Sequence, residues 1–302
     1  LMLVLSVCSS ISYIVLTPVD REMPITATPN EVVCKVEAAA QKLSQQGESG
    51  LEEFNQPNSP WVWKNSYMFV VNCDENKIVA HPFPKSLNDN PQLTHFMEKR
   101  KKLCEVGSAP HGGWISYLWT DSETGKTVQR KMTFIKQVEG TPFQVAAGIP
   151  DTDISLESLN KLRCYQNKKI LHIDSYDENY DWSIGVQQGI KNVLLDTGVE
   201  FKTVYMDTKR HTDEPFIEQA ALKVKAEIEA FKPDVVIASD DNASKHVVMP
   251  FYRDAELPFI FCGVNWDIDI YHYPYKNTTG MIEVEPIDSI INNLKQYTRG
   301  TR

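Results

Sequence analysis

Two short motifs have residue types that occur in enzyme active sites, but each lacks a partner that the chemistry requires. Gly125-Lys126-Thr127 would match the end of a phosphate-binding loop, yet position 120, where that loop begins with glycine, is threonine. His111-Gly112-Gly113 is a sequence found in oxyanion loops, but no G-x-S-x-G sequence supplies the nucleophile that such a loop serves. We therefore expect no enzymatic activity from this chain.

The residues that could bind metal ions are also poorly spaced. The six cysteines include no C-x-x-C pair, and the seven histidines form no H-x-x-x-H pair. Asp240 and Asp241, together with Asp267 and Asp269, have the carboxylates that a hard cation prefers, but the same residues suit helix caps and loops. The sequence therefore predicts neither a metal site nor a cofactor.

Charge and length limit the class of protein. The chain has 302 residues and a net charge of -9, with one basic run at Lys99–Lys102. A nucleic-acid-binding surface needs clustered cations to neutralise phosphates, so we expect no nucleic-acid partner. The length suits two domains.

Residues 1–20 begin with an apolar stretch, LMLVLSVCSSISYIVL. This stretch has the length of a signal-peptide core and is too short to cross a bilayer by itself. We interpret it as the remnant of a signal peptide or membrane anchor. That interpretation predicts a periplasmic or otherwise extracytoplasmic location, where disulfides can form.

Residues 26–153 have the pattern of one helix followed by antiparallel strands. Apolar residues recur at helical spacing from Glu31, with Asn30 as the expected cap, and Gly47 ends the pattern. Strand-like runs then occupy 67–71, 77–81, 113–120, 129–138 and 143–149. A long helix followed by consecutive antiparallel strands predicts an α+β domain.

Four sequence motifs in this range resemble a single Cache domain. They are YMFVVNCD, IVAHP, HGGWISYLW and RKMTFIKQVEGTPFQVAAGI, and they follow the order and spacing of that family over residues 31–153. Cache domains are extracytoplasmic sensors that bind small molecules, often organic acids or amino acids, on one face of a curved antiparallel sheet. The resemblance therefore implies a sensor with a ligand of this kind.

The resemblance also implies a ligand pocket and a disulfide. Lys131 would pair with a ligand carboxylate, and His81 would supply a hydrogen bond that depends on pH. Aromatic side chains would form the walls of the pocket, although each is equally suited to core packing. Cys73 and Cys104 occupy positions that hold cysteines in related secreted proteins, and their bond would close a loop of about 30 residues, worth about 3 kcal/mol. The implied pocket residues are Trp61, Trp63, Tyr67, His81, Trp114, Tyr117 and Lys131.

After a polar stretch at 154–168, which we interpret as a linker, strands alternate with helices. Strand-like runs at 169–173, 201–206, 235–238 and 258–262 are separated by amphipathic helical patterns, apart from a less clear helix after Ala243. This alternation predicts a parallel sheet, and hence an α/β domain over 169–302. In such sheets, ligands bind outside the carboxyl ends of the strands.

Polar and aromatic residues follow three of these strand ends, in the stretches DSYDENYDW, ASDDNAS and GVNWD. They resemble the first lobe of a type I periplasmic binding protein, as in ABC transporter substrate-binding proteins. The resemblance implies that Asp240 binds an amino group and that Asn242 helps to hold a carboxylate. A helix cap is the competing interpretation of Asp240, and core packing that of Trp182. The implied ligand contacts are Ser175, Tyr176, Trp182, Asp240, Asn242, Asn265 and Trp266.

These patterns together predict the ligand-input region of a membrane-borne signal-transduction receptor, with a kinase or cyclase as its output. The ligand would be a small organic acid or an amino-acid-like molecule, and its binding would shift a conformational equilibrium. The alternative is a soluble substrate-binding component of an ABC-type transport system, and an enzyme of unassigned type is a third interpretation. We also expect the chain to be a fragment that ends before a second binding lobe.

Overall fold

The computed structural model describes residues 26–83, 101–119, 129–284 and 287–297. Their contacts define two compact units. The first unit extends to Gln166 and includes Leu195–Gly198, and the second contains Asn167–Leu194 and the residues from Val199 onward. The boundary at Gln166 falls inside the stretch that the sequence analysis treats as a linker. The predicted signal or anchor segment, and the motif at Gly125-Lys126-Thr127, lie outside the described residues.

The first unit begins with a long helix, α1, at Pro29–Gln46. Thr28 caps it by accepting a hydrogen bond from the Glu31 N–H at 3.2 Å. Pro29 occupies the first turn, where a missing N–H costs no helical hydrogen bond. The predicted cap at Asn30 is therefore wrong, because the proline places Asn30 inside the helix. Gly47 ends the helix as predicted, with a φ of 59° that favours glycine.

Six antiparallel strands form the sheet of the first unit. Their order is β1-β2-β6-β5-β4, and β3 also pairs with β2. A 3-10 helix at Gly47–Asn55 precedes them, and a short helix at Leu156–Leu159 follows. The strands are β1 (Val62–Trp63), β2 (Ser66–Asn72), β3 (Lys77–Ala80), β4 (Gly113–Trp119), β5 (Gln129–Gln137) and β6 (Phe143–Pro150).

Each face of this sheet packs against a helix. Successive residues of a strand point to opposite faces, so alternate residues join different cores. Met132 and Phe134 of β5 pack with the apolar side of α1. Ile135 instead packs with Leu103, which lies in the helical residues 101–107. The sheet is therefore buried on both sides over its centre.

Two disulfides tie the first unit together. Cys73 at the end of β2 bonds to Cys104, which is the pair that the resemblance implies. Cys34 of α1 bonds to Cys164, which lies beyond the sheet and 130 residues further along the chain. Sequence analysis did not pair these two cysteines. Cys262 in the second unit is a buried thiol.

Five parallel strands form the sheet of the second unit, in the order β11-β10-β9-β7-β8. Sequence analysis did not predict the last strand or the last helix. The strands are β7 (Lys169–Asp174), β8 (Glu200–Tyr205), β9 (Val235–Ser239), β10 (Phe259–Asn265) and β11 (Thr278–Glu283). The helices are α2 (Asp181–Leu194), α3 (Glu214–Phe231) and α4 (Ile287–Tyr297), with a 3-10 turn at Asp269–Tyr271.

An irregular helix at 240–251 connects β9 to β10. It consists of an α-helical turn, a π-helical turn at Ser244–Val248 and a last turn at Met249–Phe251. This irregular helix and α3 pack on one face of the sheet, and α2 packs on the other. An α+β unit thus precedes an α/β unit, as the sequence predicts. Within the described ranges, no helix is both long and apolar enough to cross a membrane.

Candidate functional site

Five polar or aromatic side chains meet on the face of the first sheet opposite α1. We call them the Lys131 cluster, and they are Tyr67, His81, Tyr117, Lys131 and Thr133. Strand register brings them together, because Tyr117 of β4 lies directly opposite Lys131 of β5. Thr133 lies two residues further along β5 and therefore faces the same side. Sequence analysis named four of these residues and missed Thr133, although its even spacing from Lys131 was a usable signal.

The ammonium group of Lys131 lies against Tyr67. Its Nζ donates to the Tyr67 hydroxyl at 3.4 Å and lies 4.7 Å from the centre of the Tyr67 ring. Gly148 of β6 leaves room for the lysine, because a Cβ at that position would lie 2.8 Å from both Lys131 Cε and Thr133 Oγ1. A cation and a hydroxyl so close together suit the two oxygens of one carboxylate.

Tyr117 supplies a second hydroxyl to the cluster. Its Oη lies 3.0 Å from Thr133 Oγ1, and either atom has a proton to donate. Burial raises the pKa of Tyr117 to about 12. The group therefore remains a neutral hydroxyl at physiological pH and can exchange hydrogen bonds without adding negative charge.

His81 is held as a neutral imidazole. Its side chain is buried, its ring packs edge-on at 4.9 Å from Tyr67, and its Nδ1 accepts a hydrogen bond from the Phe83 N–H at 3.0 Å. Burial, and then the nearby charge of Lys131, lower the pKa of His81 to about 4. Because Nδ1 is an acceptor, Nε2 carries the proton of the neutral ring. His81 can therefore donate one hydrogen bond near neutral pH, but it brings no charge there.

The low pKa of His81 predicts acid sensitivity of the first unit. The unfolded chain takes up a proton below about pH 6.5, whereas the folded unit resists it until about pH 4. The free energy of unfolding should therefore fall by about 2 kcal/mol between about pH 7 and pH 4.5. Hydrogen exchange of the β5 amides, corrected for intrinsic rates, measures this loss.

The matched variant for this prediction is His81→Gln. Glutamine keeps a hydrogen-bonding side chain but cannot titrate in this range, so the acid loss should shrink by most of that amount. The same pH dependence in both proteins would show that another group causes the acid sensitivity.

The three tryptophans predicted for the pocket lie elsewhere. Trp61 stacks on Phe54 with ring centres 5.1 Å apart, and Trp114 packs 5.5 Å from Phe134. Together with Trp63 they join the core between the sheet and α1. Trp114 and Tyr117 are an odd number of residues apart on β4, so they cannot share a face. The structure therefore gives these tryptophans the packing role that sequence analysis kept as the competing interpretation.

The strands that carry the Lys131 cluster can be compared with known families. Residues 55–155 match the family model of the Cache domain (dCache_2). The matched range includes all six strands of the first sheet and every residue of the Lys131 cluster. This match supports a Cache domain in the first unit. The sequence resemblance named the single-Cache form, and the matching model is of the dCache_2 type.

Solved structures give weaker likenesses. A "periplasmic sensor domain of chemotaxis protein" is 21% identical, with 40% of this chain and 94% of that chain covered and a TM-score of 0.27. A Cache chemosensory domain described for carboxylic acid recognition is 15% identical, with 41% and 88% covered and a TM-score of 0.27. The Legionella pneumophila ATPase DotB is 9% identical, with 80% and 68% covered and a TM-score of 0.15. These scores are too low to support a conclusion. No curated protein matches the chain.

Outside the Cache match, four predicted residues of the second unit meet where β7 and β9 end. The Tyr176 hydroxyl donates to Asp240 Oδ2 at 2.6 Å, and Asn242 Nδ2 donates to Thr208 Oγ1 at 2.8 Å. Ser175 is fully buried, donates to the Ser239 carbonyl and accepts from the Ala243 N–H, so it ties the two strand ends together. Asp240 is buried in a left-handed conformation at φ 73°, and burial raises its pKa.

The other three predicted residues are placed differently. Trp182 lies edge-on to Tyr176 at 5.6 Å and packs against Gly263, where a Cβ would approach the indole to 2.5 Å. Asn265 bonds to Asp241 rather than Asp240, and Tyr271 shares that carboxylate. Trp266 is half-exposed. Sequence analysis missed Thr208 and Tyr271, although Thr208 follows the end of β8 and the strand-end rule applies to it.

The aspartates whose carboxylates would suit a hard cation can be assessed within the described ranges. Asp241 already accepts hydrogen bonds from Asn265 and Tyr271, and Asp267 accepts one from the Asp269 N–H. In this part of the chain, no three His, Cys, Asp or Glu side chains are grouped closely enough to hold a metal ion.

Proposed function

We propose that this chain is a ligand-binding part of an extracytoplasmic sensor and that the Lys131 cluster binds a small carboxylate. The observation that carries the proposal is the approach of Lys131 Nζ to the Tyr67 hydroxyl on one face of the sheet. The Cache match over the same strands supports it. Two disulfides in the first unit are consistent with an oxidising compartment.

Binding would work through charge-assisted hydrogen bonds. A carboxylate seated between Lys131 and Tyr67 would accept from both groups, and hydrogen bonds to an ionised group are stronger than those between neutral groups. His81 would donate a hydrogen bond from Nε2 to the ligand as a neutral group, so it would add no charge to the site. The ligand shifts the equilibrium between two conformations of the protein only as far as its affinity for them differs. We propose a membrane-borne kinase or cyclase as the output.

The second unit supports a further candidate function. Its strand order changes direction between β7 and β9, and open α/β sheets bind ligands at such a switch point. Tyr176, Asp240 and Asn242 meet there. We propose that this unit is a lobe of the type I periplasmic-binding-protein kind, with Asp240 facing a ligand amino group. That arrangement favours a substrate-binding component of a transport system as the second candidate.

Thermal unfolding in the presence of matched ligands tests the leading proposal. The panel pairs acetate with acetamide, propionate with propionamide, and succinate with succinamide. At a concentration of about 100 Kd, a ligand that binds only the folded protein adds about 2.7 kcal/mol, which gives a clear rise in Tm. We expect at least one acid to raise the Tm and its amide to have little effect. Equal responses to every acid and its amide would contradict carboxylate recognition.

A further inference from the structure

A groove in the second unit lies apart from both sites described above. It is a cavity of about 430 Å³ between the first two turns of α3 and the irregular helix at 240–251. That volume is within the range of small-molecule sites. None of the residues predicted for either ligand site lines it. The lining residues are Glu214, Glu218, Ala221, Leu222, Lys245, His246, Met249, Pro250 and Phe251.

One side of the groove is a single stripe along α3. The stripe follows the spacing of one helical face and consists of Glu214, Glu218, Ala221 and Leu222. The two acids lie nearer the N-terminus of α3, and the two apolar residues follow them. Met249, Pro250 and Phe251 face this stripe from the other helix. Leu222 keeps more than half of its surface exposed. The apolar lining residues therefore suit the apolar part of a ligand.

His246 is a polar residue of the groove whose ring makes no hydrogen bond to the described residues. It lies in the π-helical turn, a local geometry that recurs at functional sites. Its side chain is only 10% exposed, and its Nδ1 is 3.9 Å from Glu214 Oε1, too far for a hydrogen bond. No residue in the described ranges hydrogen-bonds to its ring. A nearly buried imidazole that lines a cavity can exchange hydrogen bonds with a molecule bound in that cavity.

The charged residues around the groove indicate which charge a bound molecule would carry. Among the described lining residues, Glu214 and Glu218 contribute two carboxylates and Lys245 contributes one ammonium group. The ammonium group of Lys225 lies at the other end of the groove, 5.7 Å from the centre of the Phe251 ring. Burial and the charge of Lys245 lower the pKa of His246, while the two glutamates act in the opposite direction. The imidazole is therefore neutral near physiological pH and has one nitrogen that can accept a hydrogen bond. The balance of charge favours a cationic group at this end.

We propose that this groove binds a small amphipathic amine. Its ammonium group would lie between Glu214 and Glu218 and donate to His246, and its apolar body would pack on Met249, Pro250 and Phe251. The inference is independent of carboxylate binding in the first unit, because the two sites share no residue. A failure of one would leave the other unaffected.

Titration of the whole chain with phenethylamine and with 2-phenylethanol tests the proposal, because the two probes share an apolar body and differ in the charged group. The affinity is measured by calorimetry, and the His246 ring resonances are followed by NMR. We expect phenethylamine to shift the His246 resonances and to bind about tenfold more tightly than the alcohol. Equal affinity of the two probes, or binding that leaves the His246 resonances in place, would overturn the proposal.

Two charge-removing variants on α3 separate a specific site from general surface attraction. Glu218→Gln removes a carboxylate that lines the groove and should weaken phenethylamine binding by about fivefold. Glu227→Gln removes the same charge from a glutamate of α3 outside the groove, which pairs with Lys202 at 2.6 Å. This control should leave the affinity unchanged. Equal weakening by both variants would show that only the net charge of the helix matters.

Discussion

Replacing both Cys34 and Cys164 with serine should lower the free energy of unfolding of the first unit by about 5 kcal/mol. The bond closes a loop of 130 residues, so its loss returns a large conformational entropy to the unfolded chain. The effect approaches the whole stability of a typical domain. Urea denaturation of the double variant, monitored by hydrogen exchange of the β5 and β6 amides, measures this loss of unfolding free energy.

The second disulfide provides the matched control. Cys73 and Cys104 close a loop of only 31 residues, so their replacement by serine should cost about 3.7 kcal/mol. The longer loop is thus expected to cost about 1.3 kcal/mol more than the shorter one. A larger loss from the Cys73 and Cys104 pair would contradict the loop-length account and point to local packing around Leu103.

Changing Lys131 to methionine should weaken binding of the stabilising carboxylate by roughly 10- to 150-fold, the usual worth of one hydrogen bond to a charged group. Methionine keeps much of the apolar part of the side chain over the Tyr67 ring. It removes the ammonium group, which lies 3.4 Å from the Tyr67 hydroxyl. The fold should persist, because the lysine lies on a partly exposed part of the sheet. Calorimetric titration gives the change in Kd directly.

Arg130→Met is the control for this prediction. Arg130 is the neighbour of Lys131 on β5, so its side chain points to the opposite face, and it lies 3.9 Å from Asp151. Its loss removes one positive charge from the same strand without touching the Lys131 cluster. An affinity loss in Arg130→Met as large as that in Lys131→Met would indicate that the carboxylate responds to overall charge and not to the cluster.

The sequence predicts the elements of the first unit better than the faces of its strands. The alternation along β5 would have been enough to place Thr133 with Lys131 and away from Phe134, although the sequence analysis did not use it for Thr133. The same alternation separates Trp114 from Tyr117, so grouping them in one pocket went against a rule that the sequence itself supplies. Trp61 and Trp63 were harder to place, because β1 has only two residues and its orientation depends on pairing with β2.

Long-range pairings were the least accessible feature. Spacing along the chain gives no information about which cysteines meet across 130 residues, so the Cys34–Cys164 bond depends on how α1 packs on the sheet. In the second unit, the strand-end rule correctly predicts that Tyr176, Asp240 and Asn242 lie at one edge. It does not specify hydrogen-bond partners, and Asn265, the last residue of β10, bonds to Asp241.

The most direct test of carboxylate sensing is a crystal structure of the chain with the acid that raises its Tm most. The account predicts electron density for the carboxylate on the sheet face opposite α1, within hydrogen-bond distance of both Lys131 Nζ and the Tyr67 hydroxyl. Density for the acid among Trp61, Trp63 and Trp114, or only at the strand ends of the second unit, would contradict the account.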